Sequence, residues 1–216
     1  MSKPPSPSST SARRVPSQAR AQHTVAAIFE ATGLLARECG EQAFTTNQIA
    51  ERAGVSIGTL YQYFPSKEAI VDAMARQERA RVMAELDRLL AHIGQPEWPP
   101  LAVLRAFVGI YLRAFAPADA ARRALFRMAW QMDHRESLVH SVREASERIA
   151  LHLQRARHPA LRETMPSQVF VLTRALMGTV RAAVLEDSPL LGTPDFEAEL
   201  VRMCWALLMK PELGAD

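Results

Sequence analysis

The sequence predicts an all-α protein, and three observations support that fold class. Ala, Leu, Arg and Glu are the most frequent of the 216 residues and only nine residues are glycine, which is a composition that favours helices. Apolar residues recur at three- and four-residue steps, the spacing of one helix face. No stretch alternates apolar and polar residues as a half-buried strand would. We therefore expect about nine helices.

The first sixteen residues are rich in serine and proline and include Lys3, Arg13 and Arg14. Such a segment cannot bury enough apolar surface to offset the entropy lost on ordering, so residues 1–16 are expected to form a disordered basic tail. The alternative is that this tail acts as a basic arm contacting DNA phosphates.

A first helix is predicted from Ser17, because apolar residues share one face and Gly40 can end the helix in a left-handed cap. Gly33 lies in its interior, where glycine costs stability relative to alanine, and this suggests a close contact with another helix. The predicted apolar face consists of Val25, Ile28, Thr32, Leu35 and Cys39.

Two short helices follow, separated by a very tight turn. Thr45 and Gln48 have the spacing of a capping box that begins the first helix. Gly54 can adopt a positive φ at the turn without strain. Ser56 caps the second helix, which ends near Phe64, and its hydroxyl is also expected to reach a phosphate.

This pattern is typical of a helix-turn-helix, in which two short helices cross steeply. Ala50 is small enough to let the helices approach each other. Ile49, Val55 and Leu60 have the spacing to fill the small core between them. The sequence therefore predicts a DNA-binding motif in this region.

The outer face of the second short helix supports the same interpretation. The first turn of a recognition helix meets base edges in the major groove, and here that turn is Ile57, Gly58 and Thr59. Gly58 allows close backbone approach, Ile57 can pack on a thymine methyl, and Thr59 can contact a base or a phosphate. Tyr61 and Tyr63 add hydroxyl groups to this face.

Lys67 is placed at the start of a long fourth helix, which Ser66 caps and which is predicted to run to about Ile93. The helix macrodipole disfavours a cation in the first turn. One interpretation is a solvated lysine balanced by Glu68. We favour the other, in which the ammonium group and backbone N–H groups together hold a DNA phosphate.

Five further helices are predicted over residues 101–115, 118–132, 136–157, 167–186 and 195–209. The last two carry apolar residues on more than one face, which indicates a dimerisation pair in addition to a core. The predicted interface residues are Val169, Leu172, Leu176, Val180 and Val184 on one helix and Phe196, Leu200, Met203, Cys204 and Leu207 on the other.

The middle helices are expected to enclose a small, largely apolar ligand, because methionine and aromatic side chains suit an adaptable cavity. The alternative is that they form ordinary core. Gln131, Arg174 and Arg181 are weaker candidates for polar contacts. The candidate lining residues are Phe107, Tyr111, Phe115, Phe126, Met128, Trp130, Met132 and Met177.

From Ile28 to Met74 the sequence closely resembles the TetR family of bacterial regulators, most densely over residues 49–68, IAERAGVSIGTLYQYFPSKE. The resemblance implies a three-helix DNA-binding domain over residues 17–65 and a helical ligand-binding and dimerisation domain over residues 66–216. Ala36 and Glu41 depart from the family pattern in ways that affect packing.

The resemblance also implies roles for individual residues. Phosphate contacts are implied for Thr46, Tyr63 and Lys67. Contacts with bases or the adjacent backbone are implied for Asn47, Ile57, Gly58, Thr59, Tyr61 and Gln62.

We therefore expect a cytoplasmic homodimer that binds pseudo-palindromic double-stranded operator DNA and is released by an unknown small-molecule effector. The net charge of +3 permits a nucleic-acid partner. No membrane span, cofactor or metal is expected, and Cys39 and Cys204 are expected to be reduced thiols rather than a disulfide.

Two other classes of protein were weighed. An enzyme or metal carrier is disfavoured, because the six histidines lack metal-ligand spacing and no phosphate-binding loop or nucleophile motif is present. A helical adaptor would account for the C-terminal helices. It would leave Lys67, the two tyrosines and the turn at Gly54 unexplained.

Overall fold

The computed structural model describes residues 14–39, 43–115, 120–131, 135–156 and 158–210. The described residues form two compact units, one ending at Ile70 and the other beginning at Val71. The described part of the chain contains nine helices: α1 (Arg14–Cys39), α2 (Thr46–Arg52), α3 (Ile57–Tyr63), α4 (Lys67–Leu90), α5 (Pro100–Phe115), α6 (Ala120–Gln131), α7 (Arg135–Ala156), α8 (Pro166–Leu185) and α9 (Pro194–Leu208).

The first unit packs α1, α2, α3 and the first turn of α4 around a small core. Leu60 of α3 and Ile49 of α2 are completely buried, as are Ile28 of α1 and Ile70 of α4, and Phe44 is nearly so. The apolar face predicted for α1 is confirmed at Ile28, Thr32 and Leu35, whereas Val25 is only half-buried and Cys39, at the helix end, is exposed. α1 begins at Arg14 rather than at the predicted Ser17, so residues 14–16 are helical and do not belong to the predicted tail. Residues 1–13 and Gly40 lie outside the described residues.

The second unit is a helical bundle with one continuous apolar core. α8 packs against α5, α6, α7 and α9, while α5 also packs against α6 and α9. Val103, Val108, Val180, Val184 and Cys204 are completely buried in this core. The central position of α8 explains its apolar composition.

The residues predicted to form the dimer interface differ in how deeply they are buried within this chain. The interface residues predicted on α8 (Val169, Leu172, Leu176, Val180 and Val184) are all buried in the chain's own core, as are Leu200 and Cys204 of α9, and Phe196, Met203 and Leu207 pack against it. The α8 side chains, Leu200 and Cys204 are therefore covered within one chain, whereas Phe196, Met203 and Leu207 remain half-buried.

By length and composition alone, α8 could also cross a membrane, contrary to our expectation that no such stretch exists. However, it carries Arg174 and Arg181, and 39% of its most apolar window is buried inside the protein. One side of the helix is covered by four neighbouring helices. We therefore interpret α8 as the core helix of the bundle.

Three helices begin with a proline one residue before the predicted start. α5, α8 and α9 begin at Pro100, Pro166 and Pro194 rather than at the next residue. Proline is favoured in the first turn of a helix, because its fixed φ is already helical and its missing N–H would have no intrahelical partner there. Proline before these helices is therefore part of the helix rather than a breaker.

α4 ends at Leu90 rather than at Ile93, because the next residues form tighter turns. The amides of His92 and Ile93 bond to carbonyls three residues back, and Gly94 then adopts φ +87°. A Cβ at Gly94 would lie 2.5 Å from the carbonyl oxygen of Ala156. Gly94 therefore permits both the backbone turn and the close approach of α7.

Replacing Gly94 with alanine is expected to lower the free energy of unfolding by about 3 kcal/mol, from left-handed backbone strain and the clash with Ala156. Urea denaturation followed by circular dichroism measures this change. Gly33→Ala is the control, because a Cβ there meets nothing within 4 Å. No atom of the described residues therefore makes the close contact predicted at Gly33, and alanine should stabilise α1 by about 0.5–1 kcal/mol. Equal effects of both substitutions would contradict this account of Gly94.

Candidate nucleic-acid interface and ligand cavity

The N-terminus of α2 is fixed by the predicted capping box. Thr45 Oγ1 accepts a hydrogen bond from the Gln48 amide at 3.4 Å, and Gln48 Oε1 accepts one from the Thr45 amide at 2.8 Å. Ile49 and Ala50 face the core. A seven-residue helix is too short to be stable alone, so the cap and the core together hold α2 in place.

The turn between α2 and α3 has the predicted geometry. Gly54 adopts φ +67°, and the Val55 amide donates to the Ala50 carbonyl at 3.0 Å. Ser56 Oγ accepts a hydrogen bond from the Thr59 amide at 3.0 Å and so caps α3. These bonds hold α3 tightly against α2, as a helix-turn-helix requires.

Above the buried Leu60, the outer face of α3 is open to solvent. Ile57 is 37% exposed, Tyr61 50% and Tyr63 37%. A Cβ at Gly58 would meet only Ser56 Oγ, at 3.8 Å. Ser56, Gly58, Gln62 and Asn47 of α2 are also exposed, and Thr46 and Thr59 are half-buried. The predicted contact residues therefore share an accessible surface.

One hydrogen bond joins the two short helices across this surface. Thr46 Oγ1 and the Tyr61 hydroxyl lie 3.1 Å apart, and either can be the donor. The bond fixes the phenol ring of Tyr61 over the start of α2. The sequence predicted both residues as contacts but gave no sign of this bond.

Lys67 lies in the first turn of α4, where Ser66 Oγ accepts from the Ala69 amide at 3.2 Å. Its Nζ donates to the Phe44 carbonyl at 3.3 Å and lies 4.9 Å from the centre of the Phe44 ring. The lysine thus ties α4 to the segment that leads into α2. An ammonium group has three donors, so the bond to Phe44 leaves further N–H groups for a phosphate.

The second unit contains an apolar cavity of about 40 Å³. Its wall comes from the end of α4, from α5, α7, α8 and α9, and from the segment before α8. The lining residues are Leu90, Ile93, Pro100, Val103, Leu104, Phe107, Ile149, Leu153, Leu161, Leu172, Thr173, Leu176, Cys204, Trp205 and Leu208.

Of the predicted ligand-binding residues, Phe107 lines this cavity. Tyr111, Phe126 and Met128 are buried elsewhere in the unit, and Trp130 and Met177 are partly buried against the core. Met132 and the side chain of Phe115 lie outside the described residues. Sequence reasoning favoured aromatic residues and methionines, whereas most of this wall is aliphatic.

Among the lining residues, Thr173 carries a hydroxyl group that is bonded within the protein. This side chain is only 2% exposed, and its Oγ1 donates to the Val169 carbonyl at 2.8 Å. Behind it, Arg174 Nη1 donates to Thr173 Oγ1 at 2.9 Å and to Ser146 Oγ of α7 at 2.5 Å. The guanidinium group also lies 4.3 Å from the ring centre of Phe170. Arg174, a weaker candidate in the sequence, therefore lies behind the lining residue Thr173 and is not itself part of the wall.

Burial shifts the acid–base behaviour of two groups in this core. It raises the pKa of the Cys204 thiol to about 11 and raises the pKa of the Tyr111 hydroxyl. Both groups are therefore protonated at neutral pH. Cys39 and Cys204 are free thiols. Across the described ranges, no three His, Cys, Asp or Glu side chains are grouped closely enough to hold a metal ion.

The sequences of both units match models of known protein families. Residues 28–74 match the model for bacterial regulatory proteins of the tetR family. Residues 99–208, just over half of the chain, match the model for the tetracyclin repressor-like C-terminal domain.

Curated relatives match over different lengths. The HTH-type transcriptional repressor KstR of Mycolicibacterium smegmatis is 39% identical over 69 residues, covering 32% of this chain and 34% of that protein. The chain thus spans about a third of this relative's length. The nucleoid occlusion factor SlmA of Vibrio vulnificus is 27% identical over 176 residues, covering 78% and 85% of the two chains.

Solved structures show the same fold at low sequence identity. SmeT, the repressor of a Stenotrophomonas maltophilia multidrug efflux pump, is 22% identical, with a TM-score of 0.67 over 89% of this chain and 95% of that chain. SmeT has also been solved as a complex with triclosan, with a TM-score of 0.68, 22% identity, and coverage of 89% and 94%.

Proposed function

Because this chain belongs to the TetR family of bacterial regulatory proteins, we propose that it is a cytoplasmic repressor, not an enzyme, whose homodimer binds a pseudo-palindromic operator and leaves it when a small molecule binds. The N-terminal unit is the DNA-binding part of the proposal and the C-terminal unit the dimerisation and effector part. The repressor names of KstR and SmeT support this choice over an activator.

One observation carries the proposal: the helix-turn-helix is rigidly held on its inner side and open on its outer side. Leu60 and Ile49 are completely buried, while Ile57, Tyr61 and Tyr63 are exposed. Gly58 leaves room for the backbone to approach base edges. This surface has the shape and chemistry of a recognition helix with flanking phosphate contacts.

The faces of α8 and α9 away from the core support a homodimer. On α8, one face carries exposed or half-buried residues at helical spacing: Val171, Ala175, Gly178 and Ala182. A Cβ added at Gly178 would meet nothing within 4 Å. On α9, Ala198 and Ala206 are exposed. Small residues let helices of two chains approach closely, and a two-fold dimer matches a palindromic site. We call this surface the α8–α9 outer face.

The cavity supports the effector part of the proposal. It is lined by helices of the second unit and includes Leu90 of α4, the helix whose first turn carries Lys67. A molecule bound there contacts the end of the helix that leads back to the DNA-binding unit. Release from DNA requires only a few kcal/mol of differential affinity between two states.

A selection experiment tests this function. The full-length protein is used to select duplexes from a random pool, and its binding to the selected duplexes is then measured. We expect enrichment of a palindromic sequence and an affinity that falls about 10³-fold or more between 50 and 200 mM salt, as for six or more phosphate contacts. Fluorescence anisotropy against salt measures both. A scrambled duplex is the control, and equal affinity for both duplexes would refute a specific operator.

A further inference from the structure

The hydroxyl groups of Thr46 and Tyr61 form a pair on the outer surface of the first unit. Their oxygens lie 3.1 Å apart, although the residues are 15 positions apart in the sequence. Each hydroxyl carries one proton, and the bond between them uses only one of the two. Among the described residues, neither oxygen makes a second side-chain hydrogen bond. The pair therefore has one hydroxyl proton that no described group of the protein accepts.

Tyr61 is the member of the pair that faces solvent. It is 50% exposed, whereas Thr46, the first residue of α2, is half-buried. When Thr46 donates to the phenol oxygen, Tyr61 keeps its own proton for a third group. A hydroxyl that accepts a hydrogen bond becomes a better donor, because hydrogen bonds in a chain polarise one another. The pair is thus arranged to donate outward through the phenol.

The position of the pair favours a phosphate over a base as the acceptor. In a helix-turn-helix the first helix crosses the DNA backbone, and the first turn of the second helix meets base edges. Tyr61 lies beyond the first turn of α3, and its hydroxyl is bonded to the first residue of α2. Just before α2, the Lys67 ammonium group lies 3.3 Å from the Phe44 carbonyl oxygen. Donors and a positive charge near the start of one helix suit an anionic oxygen.

Resting on the function proposed above, we infer that Thr46 and Tyr61 act as one unit, in which Tyr61 donates its hydroxyl proton to a phosphate oxygen of the operator. Thr46 is a positioning residue. It holds the phenol over the start of α2 and polarises its hydroxyl, without contacting DNA itself. This role differs from the expectation from the sequence, in which Thr46 contacts a phosphate on its own.

Tyr61→Phe tests the acceptor, with the full-length protein bound to the selected operator and to the scrambled duplex. Phosphate contacts carry no sequence information, so affinity for both duplexes should fall by the same factor, about tenfold or more. The preference for the operator should therefore be unchanged. Because the hydroxyl is neutral, the slope of log affinity against log salt should also be unchanged. Fluorescence anisotropy at several salt concentrations measures all three quantities.

A double-mutant cycle tests the role of Thr46. Thr46→Val keeps the side-chain shape and leaves the cap formed by Thr45 and Gln48 intact, and it should weaken operator binding about threefold or more. In the Tyr61→Phe background it should have no further effect, because Thr46 acts only through the phenol hydroxyl. A purely structural role would lower affinity equally in both backgrounds. Thr46→Ser, which keeps the hydroxyl, should restore wild-type binding.

Thr24→Val is the matched control. Thr24 lies on α1, and its Oγ1 donates to the Arg20 carbonyl of the same helix at 3.0 Å. Because this bond lies within one helix, the operator affinity, the preference and the salt slope should equal those of the wild type. Circular dichroism confirms that each variant is folded before titration.

The inference is overturned if Tyr61→Phe binds both duplexes like the wild type or shows a shallower salt slope. Loss of affinity for the operator alone would also overturn it, since Tyr61 would then contact a base. A Thr46→Val effect that is absent, or equal in both backgrounds, would refute the positioning role. If the wild-type protein still prefers its selected operator in these cases, the proposed function stands. A wild-type protein without that preference would instead refute the proposed function.

Discussion

Replacing Tyr63 and Lys67 together with alanine is expected to weaken operator binding by about 100-fold or more. Tyr63 is exposed, and Lys67 is half-buried and has donors beyond its bond to Phe44. A hydrogen bond to a charged group contributes about 1.5–3 kcal/mol, and a dimer loses each contact twice. Because two cations are lost per dimer, the slope of log affinity against log salt should become shallower by about 2. Fluorescence anisotropy at several salt concentrations measures both quantities.

Controls separate loss of contact from loss of structure. Lys67→Arg keeps the charge and should retain most of the affinity. Tyr63→Phe removes only the hydroxyl and should have a smaller effect than alanine. Arg143→Ala removes an exposed cation that pairs with Glu147 on α7 and should leave the slope unchanged. If the double variant is folded and its affinity and slope equal those of the wild type, the phosphate assignment is wrong.

Replacing Gly178 with arginine is expected to convert the dimer to a monomer. The position is exposed at the centre of the α8–α9 outer face, and a two-fold interface would bring two added charges together. Light scattering should give a mass near 24.0 kDa instead of about twice that value. Operator affinity should fall by about 100-fold or more, since linking two half-site contacts multiplies affinity by about 10²–10⁴.

Gln154→Arg provides the matched control for charge. Gln154 is exposed on α7, outside the α8–α9 outer face, so this variant should remain dimeric and bind DNA like the wild type. Gly178→Ala adds only a methyl group at the same position and should also remain dimeric. A Gly178→Arg protein that is still a dimer would place the interface on another surface.

The first unit was predictable because its local signals agree with its tertiary structure. The capping box of Thr45 and Gln48, the positive φ of Gly54 and the cap at Ser56 are properties of a few adjacent residues. Their spacing alone determines how the chain turns. The hydrogen bond between Thr46 and Tyr61 was not predictable, because it depends on the crossing of two helices.

In the second unit, helix positions were predictable but the use of their faces was not. The period of Val169, Leu172, Leu176, Val180 and Val184 marks an apolar face, and that face packs against the chain's own helices. Periodicity cannot distinguish a partner within the chain from one in a second copy. The cavity combines residues from Leu90 to Leu208, so no local pattern identifies its wall.

α2 and α3 are each only seven residues long, and this limits how the DNA sequence preference of one regulator can be transferred to a related one. Isolated helices of this length do not persist in water, and here they depend on the buried side chains of Ile28 and Phe44 and on the bond from Lys67. A transplanted peptide covering α2 and α3 would therefore not keep the shape of the recognition surface. A chimaera must carry the whole block from α1 through the first turn of α4.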